Sequence, residues 1–256
     1  MAIVRRFIFV FLMVFFICRA WAVPNNLEFA KVPLNFIANA GQFDPMVSFA
    51  VKSFGYTIFF SFDGVVFSAD RFVEGKTVGL TIQLRFIGAS SKPTIEGLRQ
   101  SSTVVNYFLG NDPAKWYTNV PVYEAVIYRD LYPGIDLNFH GIGDRLKSEF
   151  VVKPGADPTL IRMAYSGTNE LLLESGRLVV RTELGELVEE APIAYQLIKG
   201  QHVYVEVHYK LFPDGRIGFA VGEYNPNYPL IIDPVLVLPF SSYLGWVAAR
   251  TTWVTT

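Results

Sequence analysis

The chain has one cysteine in 256 residues, Cys18, and it lies in an apolar N-terminal run. A lone thiol builds no disulfide and no multi-thiolate metal site, so stability has to come from apolar burial. Histidine is nearly as scarce, with only His140, His202 and His208. The net charge of −1 shows no basic excess of the kind that binds nucleic acid or an anionic membrane. HExxH, GxSxG and SxxK motifs are missing, which removes the commonest hydrolase signatures. Helical periodicity is nearly missing too. Its best trace is Asp157-Pro158-Thr159, a capping residue followed by proline at a first helical position.

What is present at the front reads as an export signal. Arg5 and Arg6 precede an apolar run from Phe7 to Ile17, and Ala20-Trp21-Ala22 supplies the small-x-small cleavage pattern. The run is about half the ~20 residues that a membrane-spanning helix needs. Cleavage after Ala22 is therefore expected rather than an uncleaved anchor, and it would leave no cysteine in the mature chain. Lipid attachment at Cys18 is disfavoured by the bulky Phe15-Phe16-Ile17 before it. The strongly apolar core suits the general secretion route better than twin-arginine export.

The remaining residues carry strand chemistry. The chain is 51% hydrophobic and 15% aromatic but only 18% charged, a balance that suits pleated, half-buried surfaces. Leu80, Ile82, Leu84 and Phe86 alternate with Thr81, Gln83 and Arg85, as a strand over a core does. Val203, Val205, Val207, Tyr209 and Leu211 repeat the pattern. Asp63-Gly64, Ser175-Gly176 and Asp214-Gly215 punctuate such runs as hairpin turns. The expected fold is all-β, an antiparallel β-sandwich with very little helix. One reading divides it into two β lobes between Gly97 and Val120. The expected limits are residues 1–22 for the signal, 23–235 for the domain, and 236–256 for the start of a further region.

Candidate chemistry is thin. Gly75-Lys76-Thr77 resembles the end of a phosphate loop, but Asp70 stands where the earlier glycine belongs. Gly141-x-Gly143 lacks its third glycine. His202 and His208 would be about 20 Å apart on one strand, too far to share a metal ion. Asp136 and His140 share a strand face at roughly 13 Å and read as polar residues on a solvated surface. Glu183, Glu186, Glu189 and Glu190 read as a solvated hairpin. Trp116, Tyr117, Tyr123, Tyr128 and Tyr132 form an aromatic cluster with two meanings, a stacking platform for sugars or filling for a core. The core reading is preferred because buried rings contribute most. No catalytic, metal or cofactor residue is assigned.

Five ordered motifs carry a resemblance: FIANAGQFDPMVSFAV from Phe36, WYTNVPVYEAVIYRDLYPGIDLNFHG from Trp116, EFVVKPGADPTLI from Glu149, APIAYQ from Ala191, and PLIIDPVL from Pro229. Together they resemble the N-terminal domain of unassigned function that precedes seven-bladed β-propeller (SBBP-type) repeats in secreted bacterial proteins. The resemblance implies an exported, mostly β, non-catalytic structural or interaction module, with the propeller repeats as its intramolecular partner. A protein or a cell-surface glycan is the expected external partner, with no nucleic acid, and membrane contact only during export. The alternatives are a carbohydrate-binding sandwich and then a secreted hydrolase. In relatives SSYLG would lead into a Gly-rich repeat, whereas here Gly245 meets WVAARTTWVTT, so a truncated or frameshifted tail is expected. Pro229 and Pro234 read as marks of an edge or crossover strand. Pro229 to Val235 is expected in the core, and Leu236 to Gly245 as a partly uncovered docking strand.

Overall fold

A computed structural model describes residues 34–237 apart from 54, 74, 75 and 144. The N-terminal segment expected to be an export signal, Cys18, Gly75 and residues 238–256 lie outside the described residues. The strands are β1 (Phe36–Ala38), β2 (Val47–Ser53), β3 (Tyr56–Ser61), β4 (Gly64–Val73), β5 (Lys76–Phe86) and β6 (Thr94–Tyr107). Then come β7 (Tyr117–Tyr132), β8 (Ile135–Ile142), β9 (Arg145–Val152), β10 (Met163–Ser166), β11 (Glu170–Glu174), β12 (Arg177–Thr182) and β13 (Gly185–Glu189). The last are β14 (Ile193–Ile198), β15 (Gln201–Val205), β16 (Val207–Leu211), β17 (Ile217–Val221), β18 (Leu230–Asp233) and β19 (Val235–Val237). Among the described residues helix is limited to single 3-10 turns at Pro113–Lys115 and Pro158–Leu160. The second is the one foreseen at Asp157, whose carboxylate accepts from the Thr159 amide at 2.8 Å.

All the pairings are antiparallel, and they form a nearly closed barrel. From β7 the circuit runs one way through β1, β2, β3, β4, β5, β10, β17 and β16. It runs the other way through β8, β9, β18, β14 and β15. The ends meet because β15 and β16 are one extended segment that changes partner at Glu206, from β14 to β17. A second arm, β19–β13–β12–β11, leaves the lower half of β9. The all-β antiparallel class is thus observed, with the faces of the expected sandwich joined into one continuous sheet.

The barrel interior is aromatic and aliphatic. Phe36, Phe60, Tyr128, Tyr132 and Phe150 are fully buried, and the inward row Ile82 and Leu84 of β5 joins them. The phenols of Tyr128 and Tyr132 each have a partner, as the desolvation cost favours. Tyr128 donates to the Ser61 carbonyl at 3.1 Å and Tyr132 to the Arg162 carbonyl at 2.6 Å. Burial raises the Tyr132 hydroxyl to about 12, partly offset by that hydrogen bond.

Two local expectations change. Ser61 pairs with Gly64, so the residues at the tip of the β3–β4 turn are Phe62 and Asp63. Gly64, with φ of 134°, is needed for another reason: a Cβ there would lie 2.1 Å from the Leu84 carbonyl oxygen. Secondly, β18 is not an edge strand, since it pairs with β9 on one side and β14 on the other. Its prolines lie just outside the four residues of β18, so no sheet donor is lost. Pro234 marks the point where the chain changes partner from β14 to β13. Leu230 and Ile232 are fully buried, and Leu236 is buried too, locked between Leu146 and Glu189 rather than left uncovered.

Candidate functional site

Paired residues on neighbouring antiparallel strands project to the same face. His140 of β8 pairs with Lys147 of β9, and Asn138 with Glu149. This face is opposite to Leu137, Phe139 and Phe150, which point into the core, so the four polar side chains line the outside of the barrel. Asp233 at the end of β18 completes the group. The Lys147 ammonium reaches its carboxylate at 2.7 Å and that of Glu149 at 3.0 Å, while the His140 ring lies 3.9 Å from Glu149.

The cluster is packed rather than solvated, which corrects the expectation for His140. Burial lowers the His140 pKa, with the Glu149 carboxylate opposing part of the shift. Burial alone would lower Lys147 as well, but the hydrogen bonds to Asp233 and Glu149 outweigh it and leave the ammonium above the usual lysine range. Asp233 is raised by burial against the pull of Lys147. Its Oδ1 and the Asn138 Oδ1 are buried acceptors without a protein partner. Tyr195 of β14 stands near enough that Glu149 adds to burial in raising its hydroxyl.

Asp136 does not join this cluster. It is buried at the other end of β8, where it accepts from the Asp130 amide at 2.7 Å and pairs with Lys153 at 3.0 Å. His202 packs against the Tyr195 ring, centroids 4.9 Å apart, and His208 lies on β16 beside Glu206 at 3.1 Å. The histidines therefore occupy three strands and do not converge. Among the described residues no group of three or more His, Asp or Glu side chains is arranged to hold a metal ion. Lys76 is exposed at the start of β5.

Glu189 is the residue that sequence reasoning missed. It points into the barrel, and its carboxylate accepts from the hydroxyls of Tyr165 and Tyr209, the latter at 2.7 Å. Burial pushes its pKa above the ordinary value while the two phenols pull it back. A cavity of about 20 Å³ lies against it, lined also by Phe139, Ser148 and Leu236. That is room for about one water molecule, not for a substrate. Glu186, in contrast, lies on the outer surface in an ion pair with Arg181 at 2.8 Å.

The aromatic cluster divides. Tyr128 and Tyr132 are buried, and Tyr117 and Tyr123 are partly covered. Trp116 is exposed, edge-on to Phe108 at 5.0 Å between centroids, with its indole N–H bound to the Gly110 carbonyl. These five rings do not form one platform.

Several polar residues of the five motifs are bonded to the domain itself. Asn39 holds the β1–β2 loop by donating to the Asp44 and Val47 carbonyls at 2.9 and 2.8 Å and accepting from the Gly41 and Phe43 amides. Gln196, buried, clamps the loop before β18: it donates to the Asn225 and Tyr228 carbonyls and accepts from the Asn225 amide. Asp136, Asp157 and Asp233 likewise bind the domain's own amides or lysines. The family described as a domain of unknown function (DUF7948) matches residues 36–235. No curated protein and no solved structure matches the chain.

Proposed function

The chain belongs to the DUF7948 family, and from that premise we propose that it is an exported, non-catalytic structural module that gives a rigid start to a following β-propeller repeat array. The observation that carries this reading is how the motif side chains spend their hydrogen bonds. Asn39, Asp136 and Gln196 each bind main-chain groups of the barrel itself. Groups held for catalysis are instead directed at a cleft where a reacting atom fits. Support for the platform comes from β19, which is bonded to both β9 and β13, so whatever follows residue 237 would start from a fixed strand. Export is supported by Arg5-Arg6, the apolar run and Ala20-Trp21-Ala22.

Fusing an SBBP-type repeat array after the domain tests the reading. Calorimetry should show the two parts unfolding in one coupled transition, with the module melting higher than it does alone. Two independent transitions at the temperatures of the separate parts would contradict the platform role.

A further inference from the structure

The second arm ends in an open strand edge. Among the described residues β11 pairs with β12 alone, and β16 with β17 alone. Ser175 and Gly176 form the two-residue loop of the β11–β12 hairpin, with φ of 51° and 81°, as a type I′ turn requires. Glu174 and Arg177 then close the turn as a hydrogen-bonded pair, and the bonded pairs alternate from there. Glu170, Leu172 and Glu174 direct their amides and carbonyls at β12. Leu171 and Leu173 direct theirs to the open edge. Beside β16, the Phe212 amide donates to the Arg216 carbonyl and the Gly222 amide to the Glu206 carbonyl, at 2.8 Å each. The even-numbered residues of that strand therefore bond to β17, and Tyr209 and Leu211 direct their main-chain groups away from it.

Both strands border one cleft. It has a volume of about 630 Å³ and is lined by residues 168–171 on one side and by Leu211, Phe212, Pro213 and Gly215 on the other. The leucines at its lips face inward. Leu173, two residues along the edge from Leu171, pairs with Leu178, and Leu211 pairs with Ile217. Leu178 and Ile217 are fully buried in the core, so their partners project to the same side. Leu173 is nevertheless 41% exposed and Leu211 37%. The barrel wall is open here, with an inward leucine on each side of the opening.

We propose that the β11 edge takes an extended segment of a partner polypeptide as an added antiparallel strand, with apolar side chains seated in the cleft at alternate positions and basic ones outside. Three features argue for that occupant. Leu171 and Leu173 present N–H and C=O groups at strand spacing, which a peptide main chain matches and a sugar or a lipid does not. The inward leucines call for an apolar side chain at every second residue of the added strand. The intervening positions lie beside the outer face of the arm, where Glu170, Glu174 and Glu186 share Arg181 as an ion-pair partner. With Arg177, opposite Glu174, that face holds three carboxylates against two guanidinium groups, so lysine or arginine there adds attraction. The inference goes beyond the platform role, and neither depends on the other.

Fluorescence anisotropy of the full chain with a labelled octapeptide of alternating valine and lysine tests it. Binding should be saturable. Bonded partners share a face, so the valine amides are the ones that bond to Leu171 and Leu173. The same octapeptide N-methylated at every valine should bind about tenfold more weakly or not at all. Leu173→Pro removes an amide from the open edge without breaking a bond to β12, so it should weaken binding as much while leaving the circular dichroism spectrum unchanged. Amide exchange followed by NMR should slow at Leu171 and Leu173 when the octapeptide is added. If Leu173→Pro fails to fold, the exchange pattern decides. No saturable binding, equal binding of the methylated octapeptide, full binding by a folded Leu173→Pro, or protection confined to other strands overturns the proposal.

Discussion

The Tyr209 hydroxyl donates a 2.7 Å hydrogen bond to the Glu189 carboxylate inside the barrel, and Tyr165 donates to its other oxygen. The three groups come from β16, β13 and β10, so one acid ties the side arm to two strands of the main circuit. Removing the acid strands two buried hydroxyls. Glu189→Ala should cost about 2–5 kcal/mol by denaturant unfolding, and Glu189→Gln, which keeps an acceptor, clearly less. Equal stability of Glu189→Ala and wild type would refute the structural role.

The same residue predicts a pH dependence. Burial raises its folded-state pKa above the ordinary 4.5, so the folded protein holds this proton more tightly than the unfolded chain. Its contribution to stability should therefore fall as pH rises from 4.5 through the raised value, and level off above it. Melting wild type and Glu189→Gln across that range isolates the effect: their difference should shift against the wild type as pH climbs. A constant difference would show that Glu189 does not titrate differently on folding.

His140 predicts the opposite sign. Burial holds its pKa below 6.5, so the unfolded chain binds the proton more readily. Stability should fall as pH drops from 6.5 through the lowered value, and His140→Gln should remove that slope. Parallel melting curves for the two proteins in this window would rule it out.

Gly64 and Gly185 share a positive φ, 134° and 137°, but differ in their surroundings. A Cβ at Gly185 meets nothing within 4 Å, whereas at Gly64 it meets the Leu84 carbonyl. Gly185→Ala should cost only the backbone strain, about 1–3 kcal/mol, and Gly64→Ala distinctly more. Similar midpoints for the two variants would contradict the close approach of β4 to β5.

β18 separates β9 from β14, and without it the circuit opens. A chain ending after residue 237 keeps β18 and β19 and should unfold cooperatively, while one ending at residue 228 loses Leu230 and Ile232, each worth about 1.5–3 kcal/mol, and should show no cooperative transition. Matching melts would remove β18 and β19 from the core.

The alternation of Leu80, Ile82, Leu84 and Phe86 made β5 legible, and the same period made β15 and β16 legible as strands. What period two does not contain is the partner, so the switch at Glu206 that closes the barrel left no trace. Prolines were read as edge marks at β18 because composition does not show that they fall just outside the paired residues. Glu189 was read as solvated because Leu187-Val188 places apolar residues on both faces and hides which one is inward. Only the contact with two tyrosines from distant strands reveals it. The clamps at Asn39 and Gln196 were visible as motif residues, but their partners, the carbonyls of loops, have no sequence signature.

The claim that these motif residues serve the barrel rather than a reaction is tested most directly by denaturant unfolding of Gln196→Ala. The buried side chain makes three hydrogen bonds to the main chain at Asn225 and Tyr228. Its loss should reduce stability by about 2–4 kcal/mol, because those groups are left without partners. A polar residue retained for chemistry is commonly replaced at no cost to stability or with a gain. Unchanged or increased stability in Gln196→Ala would contradict the account.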